Sequence, residues 1–173
     1  IIVKGDDIDK VLNKNDVLQQ NCRLCSHRNP VEYDELIAEL VEEQSDLDRY
    51  ADVRDIESMS PDGKWDFFEN LLSPCVRCYA CRNACPLCYC PTCFVDESQP
   101  QWVGKSQDET DIKTFHFLRA YHCAGRCTDC GSCERACPMG IKVRLFTKKL
   151  EKDCLELFDW EAGMTLEKRP PLD

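Results

Sequence analysis

The run Cys75-x2-Cys78-x2-Cys81-x3-Cys85-Pro86 occurs a second time as Cys127-x2-Cys130-x2-Cys133-x3-Cys137-Pro138. Coincidence does not produce two copies of so long a pattern, and no other feature constrains the fold as much. Three cysteines at two-residue gaps let a tight loop turn its sulfurs and its backbone N–H groups toward one centre. The fourth cysteine lies too far along to complete the same wrap. The proline after it removes a backbone donor and fixes the chain direction. Gly131 and Gly140 permit tight turns or close approach of backbone to whatever the sulfurs hold.

Four thiolates aimed at one centre suit a [4Fe–4S] cube, and this run is the one found in bacterial two-cluster ferredoxins, where the fourth cysteine ligates the other cluster. Applied to this chain, one cluster takes Cys75, Cys78, Cys81 and Cys137, and the other takes Cys127, Cys130, Cys133 and Cys85. The crossing ties the two runs into one unit and keeps the cubes close enough for rapid electron exchange. Zinc is the main competing metal, but zinc sites use pairs of Cys-x2-Cys and would leave the repeated third cysteine idle.

Fifteen cysteines among 173 residues also raise the possibility of a secreted disulfide scaffold. The odd count and the repeated two-residue gaps argue for a shared metal centre instead. The chain opens Ile1-Ile2-Val3-Lys4-Gly5-Asp6-Asp7, which shows no apolar core or small-residue cleavage site of a secretory signal, so a cytoplasmic location is expected. A formal charge of −10 argues against nucleic acid as a partner, since phosphate binding needs a basic stripe. Clusters deepen that charge, since an oxidised four-thiolate cube carries about two negative charges. The expected partner is a protein with a basic dock. No stretch approaches the roughly 18 apolar residues needed to span a bilayer, so no membrane span is expected.

Three regions can be separated. Residues 1–72 form an acidic, helical N-terminal extension that includes Cys22-x2-Cys25. Leu36, Ile37, Leu40 and Val41 are spaced for one face of a helix starting near Tyr33. Ser60 followed by Pro61 signals a second helix start, with Trp65, Phe68 and Leu72 as a core-facing stripe. Residues 73–158 form the two-cluster module. It contains a polar loop from Asp96 to Glu109 and a helix capped by Asp111, with Ile112, Phe115, Leu118 and His122 on one side. A last helix runs from Ile141 to about Phe158, with Val143, Phe146, Leu150, Cys154 and Leu157 at helical spacing. Cys154 reads there as a small core residue. Residues 159–173 read as an extended tail. With no sustained two-residue alternation, the expected fold class is all-α.

The paired runs, the helical segment between them and Pro138-Met139-Gly140-Ile141 resemble the α-helical ferredoxins, the domains of succinate dehydrogenase iron–sulfur subunits and heterodisulfide reductase small subunits. The resemblance covers about residues 73–158 and implies an α-helical ferredoxin-type dicluster module. The stretches Cys75-Val-Arg-Cys-Tyr-Ala-Cys-Arg-Asn-Ala-Cys-Pro-Leu-Cys-Tyr-Cys-Pro-Thr-Cys93 and Phe117-Leu-Arg-Ala-Tyr-His-Cys-Ala-Gly-Arg-Cys127 are similar to iron–sulfur subunits of anaerobic formate, hydrogenase and deazaflavin-linked oxidoreductases. They also resemble the electron-transfer subunit of tungsten-dependent benzoyl-CoA reductase. These likenesses imply a non-catalytic subunit that relays low-potential electrons to or from a larger catalytic oxidoreductase subunit, tungsten-containing in the last case. The alternative is a metal-stapled redox sensor or scaffold.

Seven cysteines remain outside the runs: Cys22, Cys25, Cys88, Cys90, Cys93, Cys123 and Cys154. Cys22-x2-Cys25 and Cys90-x2-Cys93 read as complementary half-sites for a third [4Fe–4S] cluster, with Cys88 as the alternate to Cys90 and zinc as the alternative metal. His27 could replace a thiolate there. Cys81-x3-Cys85-x2-Cys88 and Cys123-x3-Cys127-x2-Cys130 also match radical-SAM spacing, but the chain is too short and too poor in strands for that barrel. His122 is the histidine placed to hydrogen-bond a cluster sulfur, and Arg77, Arg82, Arg126 and Arg135 are the cations placed to offset cluster charge.

Overall fold

A computed structural model describes residues 1–171 and divides the chain into two compact units, Ile1–Arg49 and Tyr50–Asp173. The first unit holds an antiparallel hairpin, β1 (Ile2–Gly5) and β2 (Ile8–Val11), in the register Ile2↔Val11 to Gly5↔Ile8. Two single-turn helices follow, α1 (Lys14–Val17) and α2 (Gln20–Arg23). The helix expected near Tyr33 does not form. Residues 33–41 are irregular, and Ile37 is fully exposed. With nothing to bury the apolar stripe, helical spacing alone does not offset the cost of nucleation. Polar side chains organise this stretch instead. Asn29 donates to the Val41 carbonyl at 2.7 Å and accepts from the Val41 N–H at 2.9 Å, while Glu43 accepts from the Arg28 N–H at 2.6 Å. The hairpin is also a departure from the expected helical extension.

The second unit is helical: α3 (Ala51–Glu57), α4 (Pro61–Leu72), α5 (Ala80–Asn83), α6 (Glu109–Cys123), α7 (Ser132–Arg135) and α8 (Arg144–Phe158). The compact unit therefore begins at Tyr50 and includes α3 and α4, ahead of the first cysteine run. Ser60 caps α4 by accepting from the Gly63 N–H at 3.1 Å, with Pro61 in the first turn. Leu72 is buried, but Trp65 lies exposed under the Lys113 ammonium, 4.5 Å from its ring centre. The cap of α6 is Asp108 and not Asp111, because Asp108 sits one turn earlier and accepts from the N–H groups of Thr110 and Asp111.

Three helices carry the core. Phe68 of α4, Phe117 of α6 and Phe146 of α8 meet with ring centres 4.9–5.8 Å apart. The buried face of α6 is Ile112, Phe115, His116, Arg119, Ala120 and Cys123, a stripe of three- and four-residue steps. That face is rotated from the expected one, leaving His122 exposed and Leu118 half-buried. Val143, which caps α8, and Phe146 and Cys154 on it are buried as expected, while Leu150 is half-buried and Leu157 is exposed. After α8 the tail has no regular structure, yet it is anchored. Trp160 is buried beside Cys154 and donates from Nε1 to the Gly125 carbonyl at 2.6 Å. Pro170 and Pro171 lie against Gly125, whose φ of +69° and crowded surroundings exclude a side chain. The last two residues of the expected tail, 172 and 173, lie outside the described residues. Among the described residues no helix is long and apolar enough to cross a membrane.

Candidate metal centres

The two cysteine runs fold alike. In each, the second and fourth residues after the first cysteine take positive φ: Arg77 and Tyr79 at 48° and 59°, Asp129 and Gly131 at 55° and 71°. Each run then enters a four-residue helix, α5 or α7, capped at its start by that fourth residue. The left-handed pair curls the loop inward and turns N–H groups toward sulfur. Accordingly the Arg77 N–H reaches the Cys75 sulfur, and the Asp129 N–H reaches Cys127. Burial follows the same symmetry. Cys78 and Cys130 are exposed, Cys81 and Cys133 are buried, and the first and last cysteines of each run are intermediate.

These loops build two cavities with exchanged fourth cysteines. Cys75, Cys78, Cys81 and Cys137 line one, and Cys127, Cys130, Cys133 and Cys85 line the other, with Cys123 at its wall. The electrostatics repeat the exchange. Burial raises the Cys75 thiol pKa, and the Cys137 and Cys78 sulfurs add to the rise. Burial likewise raises Cys133, with Cys85 and Cys130 adding to it. Cys81 is pushed up to about 11, chiefly by burial, with Cys133 and Cys75 contributing. The two buried third cysteines thus lie close enough for the charge of one to act on the other. Both cavities are tight, about 20 Å³ each.

The surroundings differ in polarity. Phe115, Ile141, Val143 and Met139 wall the first cavity, together with His116. His116 Nε2 lies 3.3 Å from the Cys75 sulfur. Burial, with Arg119 and Arg77 nearby, holds the His116 pKa down at about 4, so the ring is neutral. His116 therefore occupies the place expected of His122. The missed signal was its position in the buried stripe of α6, one turn after Ile112. The second cavity is lined by Arg119, Arg144, Asp129 and Thr147.

Loop position two carries opposite charges in the two runs, and each is tied down differently. Arg77 donates to the carbonyls of Ser106 and, at 2.8 Å, of Gly104, and faces Asp111 at 3.7 Å. Asp129 accepts two bonds of 3.0 Å from Arg144 and one of 2.6 Å from Lys148. Arg119, which sequence reasoning passed over, is 3 % exposed and donates to the Cys81 carbonyl at 2.9 Å. Burial works against its charge, but the sulfurs of Cys81, Cys123, Cys133 and Cys88 outweigh it and raise its pKa. Nε of Arg119 and Nε of Arg77 are buried donors with no hydrogen-bond partner. Such donors are costly unless an acceptor arrives. The sulfur surface of a cube supplies acceptors, so these residues fit the group.

The other named residues lie nearby or apart. Arg82 pairs with Asp96 at 2.8 Å, Arg126 with Tyr89 Oη at 3.2 Å, and Arg135 donates to the Cys130 carbonyl at 2.9 Å. Cys90 and Cys93 belong to the second unit and line a third cavity with Cys88 and Cys123. Cys22 and Cys25 are exposed residues of the first unit, where the Cys25 sulfur donates to the His27 carbonyl at 3.0 Å. Among the described residues the tightest group of potential ligands is Cys85, Cys88 and Cys123, with sulfurs mutually within 4.8 Å.

All fifteen cysteines are free thiols, and their crossed donor sets are of the kind that binds iron–sulfur clusters. No family model matches the chain. Among curated proteins it is 31% identical over 109 residues to the F420-dependent formate dehydrogenase subunit beta of Methanocaldococcus jannaschii. The match takes in 63% of this chain and 27% of that relative, so the chain spans about a quarter of the length of the protein it resembles.

Proposed function

We propose that the chain is an electron-transfer module that holds [4Fe–4S] clusters and relays low-potential electrons to or from a catalytic oxidoreductase subunit. One cluster is assigned to Cys75, Cys78, Cys81 and Cys137, the other to Cys127, Cys130, Cys133 and Cys85, within an α-helical ferredoxin-type dicluster fold. The observation that carries the reading is the exchange of fourth cysteines between the two cavities. The exchange makes each cavity depend on both runs and puts the buried Cys81 and Cys133 between them. The exposed Cys78 and Cys130 are natural points of electron entry and exit. No nucleophile or acid–base pair is required, because potential, spacing and burial do the work.

The likeness to a formate dehydrogenase beta subunit supports a partner of that class. No residue singles out a tungsten-dependent benzoyl-CoA reductase as the partner. Fifteen free cysteines suit a reducing compartment, and the acidic surface suits a partner with a basic dock.

The test is anaerobic isolation of the full chain, metal and acid-labile sulfide analysis, and a potentiometric titration followed by EPR. The expected result is a brown protein whose clusters are reduced reversibly by one electron each at low potential. A colourless chain containing zinc overturns the reading. Clusters that stay oxidised under dithionite overturn electron transfer and leave a structural, metal-stapled role.

A further inference from the structure

The third cavity is the roomiest of the three, about 280 Å³, and lies wholly within the second unit. Cys88, Cys90, Cys93 and Cys123 line it. Three come from one short loop, Cys88-x-Cys90-x2-Cys93. The fourth is the last residue of α6, buried to 1 % exposure. Arg82, Arg119 and Arg126 face the same space, with Asp96 as the one carboxylate. Three cations around four cysteines oppose the roughly two negative charges of a four-thiolate cube. Arg119, whose buried Nε has no hydrogen-bond partner, lines this cavity as well as the second cluster cavity.

We infer that the second unit holds a third [4Fe–4S] cluster on Cys88, Cys90, Cys93 and Cys123, without Cys22 and Cys25. The inference rests on the reading of this chain as an iron–sulfur protein and adds a site to it. Each thiol releases its proton to solvent as its iron–sulfur bond forms. The neighbouring group of Cys85, Cys88 and Cys123 follows from this assignment. Cys85 serves the second cluster, while Cys88 and Cys123 serve the third, so sulfurs of two clusters lie within 4.8 Å of one another. That proximity, with Arg119 shared between the walls, places the third cube in series with the second. Its outer edge reaches the surface at the exposed Cys90.

The test uses the full chain, isolated anaerobically, with iron, zinc and sulfide counted per chain and helix content followed by circular dichroism. Wild type is expected to hold about twelve irons, four per cube. The Cys22→Ser/Cys25→Ser variant should keep all of them. Cys88→Ala and Cys90→Ser/Cys93→Ser should each lose about four irons and one EPR signal while keeping wild-type helix content. A wild-type chain with about eight irons that are still reversibly reduced overturns the third cluster and leaves the two-cluster reading intact. Loss of four irons from the Cys22→Ser/Cys25→Ser variant, or one zinc beside eight irons, overturns it as well. A chain without iron overturns both readings.

Discussion

At the scale of single residues, His116 and Arg119 carry much of the electrostatic character of the two duplicated sites. They sit one turn apart on α6, yet they serve different cavities. A neutral imidazole held 3.3 Å from the Cys75 sulfur would stabilise the more negative, reduced form of the cluster proposed there by hydrogen bonding. Replacing it, as in His116→Leu, should keep the packing against Phe115 and Phe146 but lower the first cluster's potential by tens of millivolts. An EPR-monitored redox titration reads this directly. An unchanged potential would show that the imidazole does not donate to that sulfur.

At the scale of elements, α8 and α6 act as clamps on the cysteine loops. Asp129 holds a left-handed backbone conformation that costs a non-glycine residue about 1 kcal/mol. Arg144 and Lys148, both on α8, stabilise it there through bonds of 3.0 and 2.6 Å. Both cations are buried, and each keeps a second carboxylate, Glu134 for Arg144 and Glu151 for Lys148, so removing the shared one leaves their charge partly compensated. Asp129→Asn should therefore destabilise the protein by about 2 kcal/mol, measured by anaerobic denaturant unfolding, and speed loss of iron from the second site before the first. Equal loss from both sites would contradict a clamp specific to one loop. These elements were largely readable beforehand. The cap at Ser60, the last helix, expected from Ile141 and formed over Arg144–Phe158, and the paired loops follow from local rules of capping, spacing and turn chemistry. The hairpin at residues 2–11 and the irregular 33–41 stretch did not, because short exposed elements depend on local polar contacts that hydrophobic spacing does not encode.

At the scale of the whole molecule, the core of the second unit is built around its cysteine loops. Leu72, Phe115, Val143 and Phe146 share one buried cluster with Cys81 and Cys133. Metal binding to such loops is coupled to folding, because the sites do not exist in the unfolded chain. Chelation or oxidative loss of iron should lower the thermal midpoint of the holo protein and loosen α5 and α7 first, as read by hydrogen exchange. Equal protection with and without iron would mean that the helices stand without the clusters. The duplicated spacing of eight cysteines by itself determined the two matching loops, because sulfur positions along a tight loop are a local property. Which other cysteines of the second unit line a cavity together was decided by the tertiary structure. The half-site Cys90-x2-Cys93 was matched by spacing to Cys22-x2-Cys25, yet the second unit sets it against Cys88 and the end of α6. Spacing fixes what lies within one turn of chain; only packing brings Cys123, His116 and Arg119 to the walls, since burial of the α6 stripe sets the rotation of that helix.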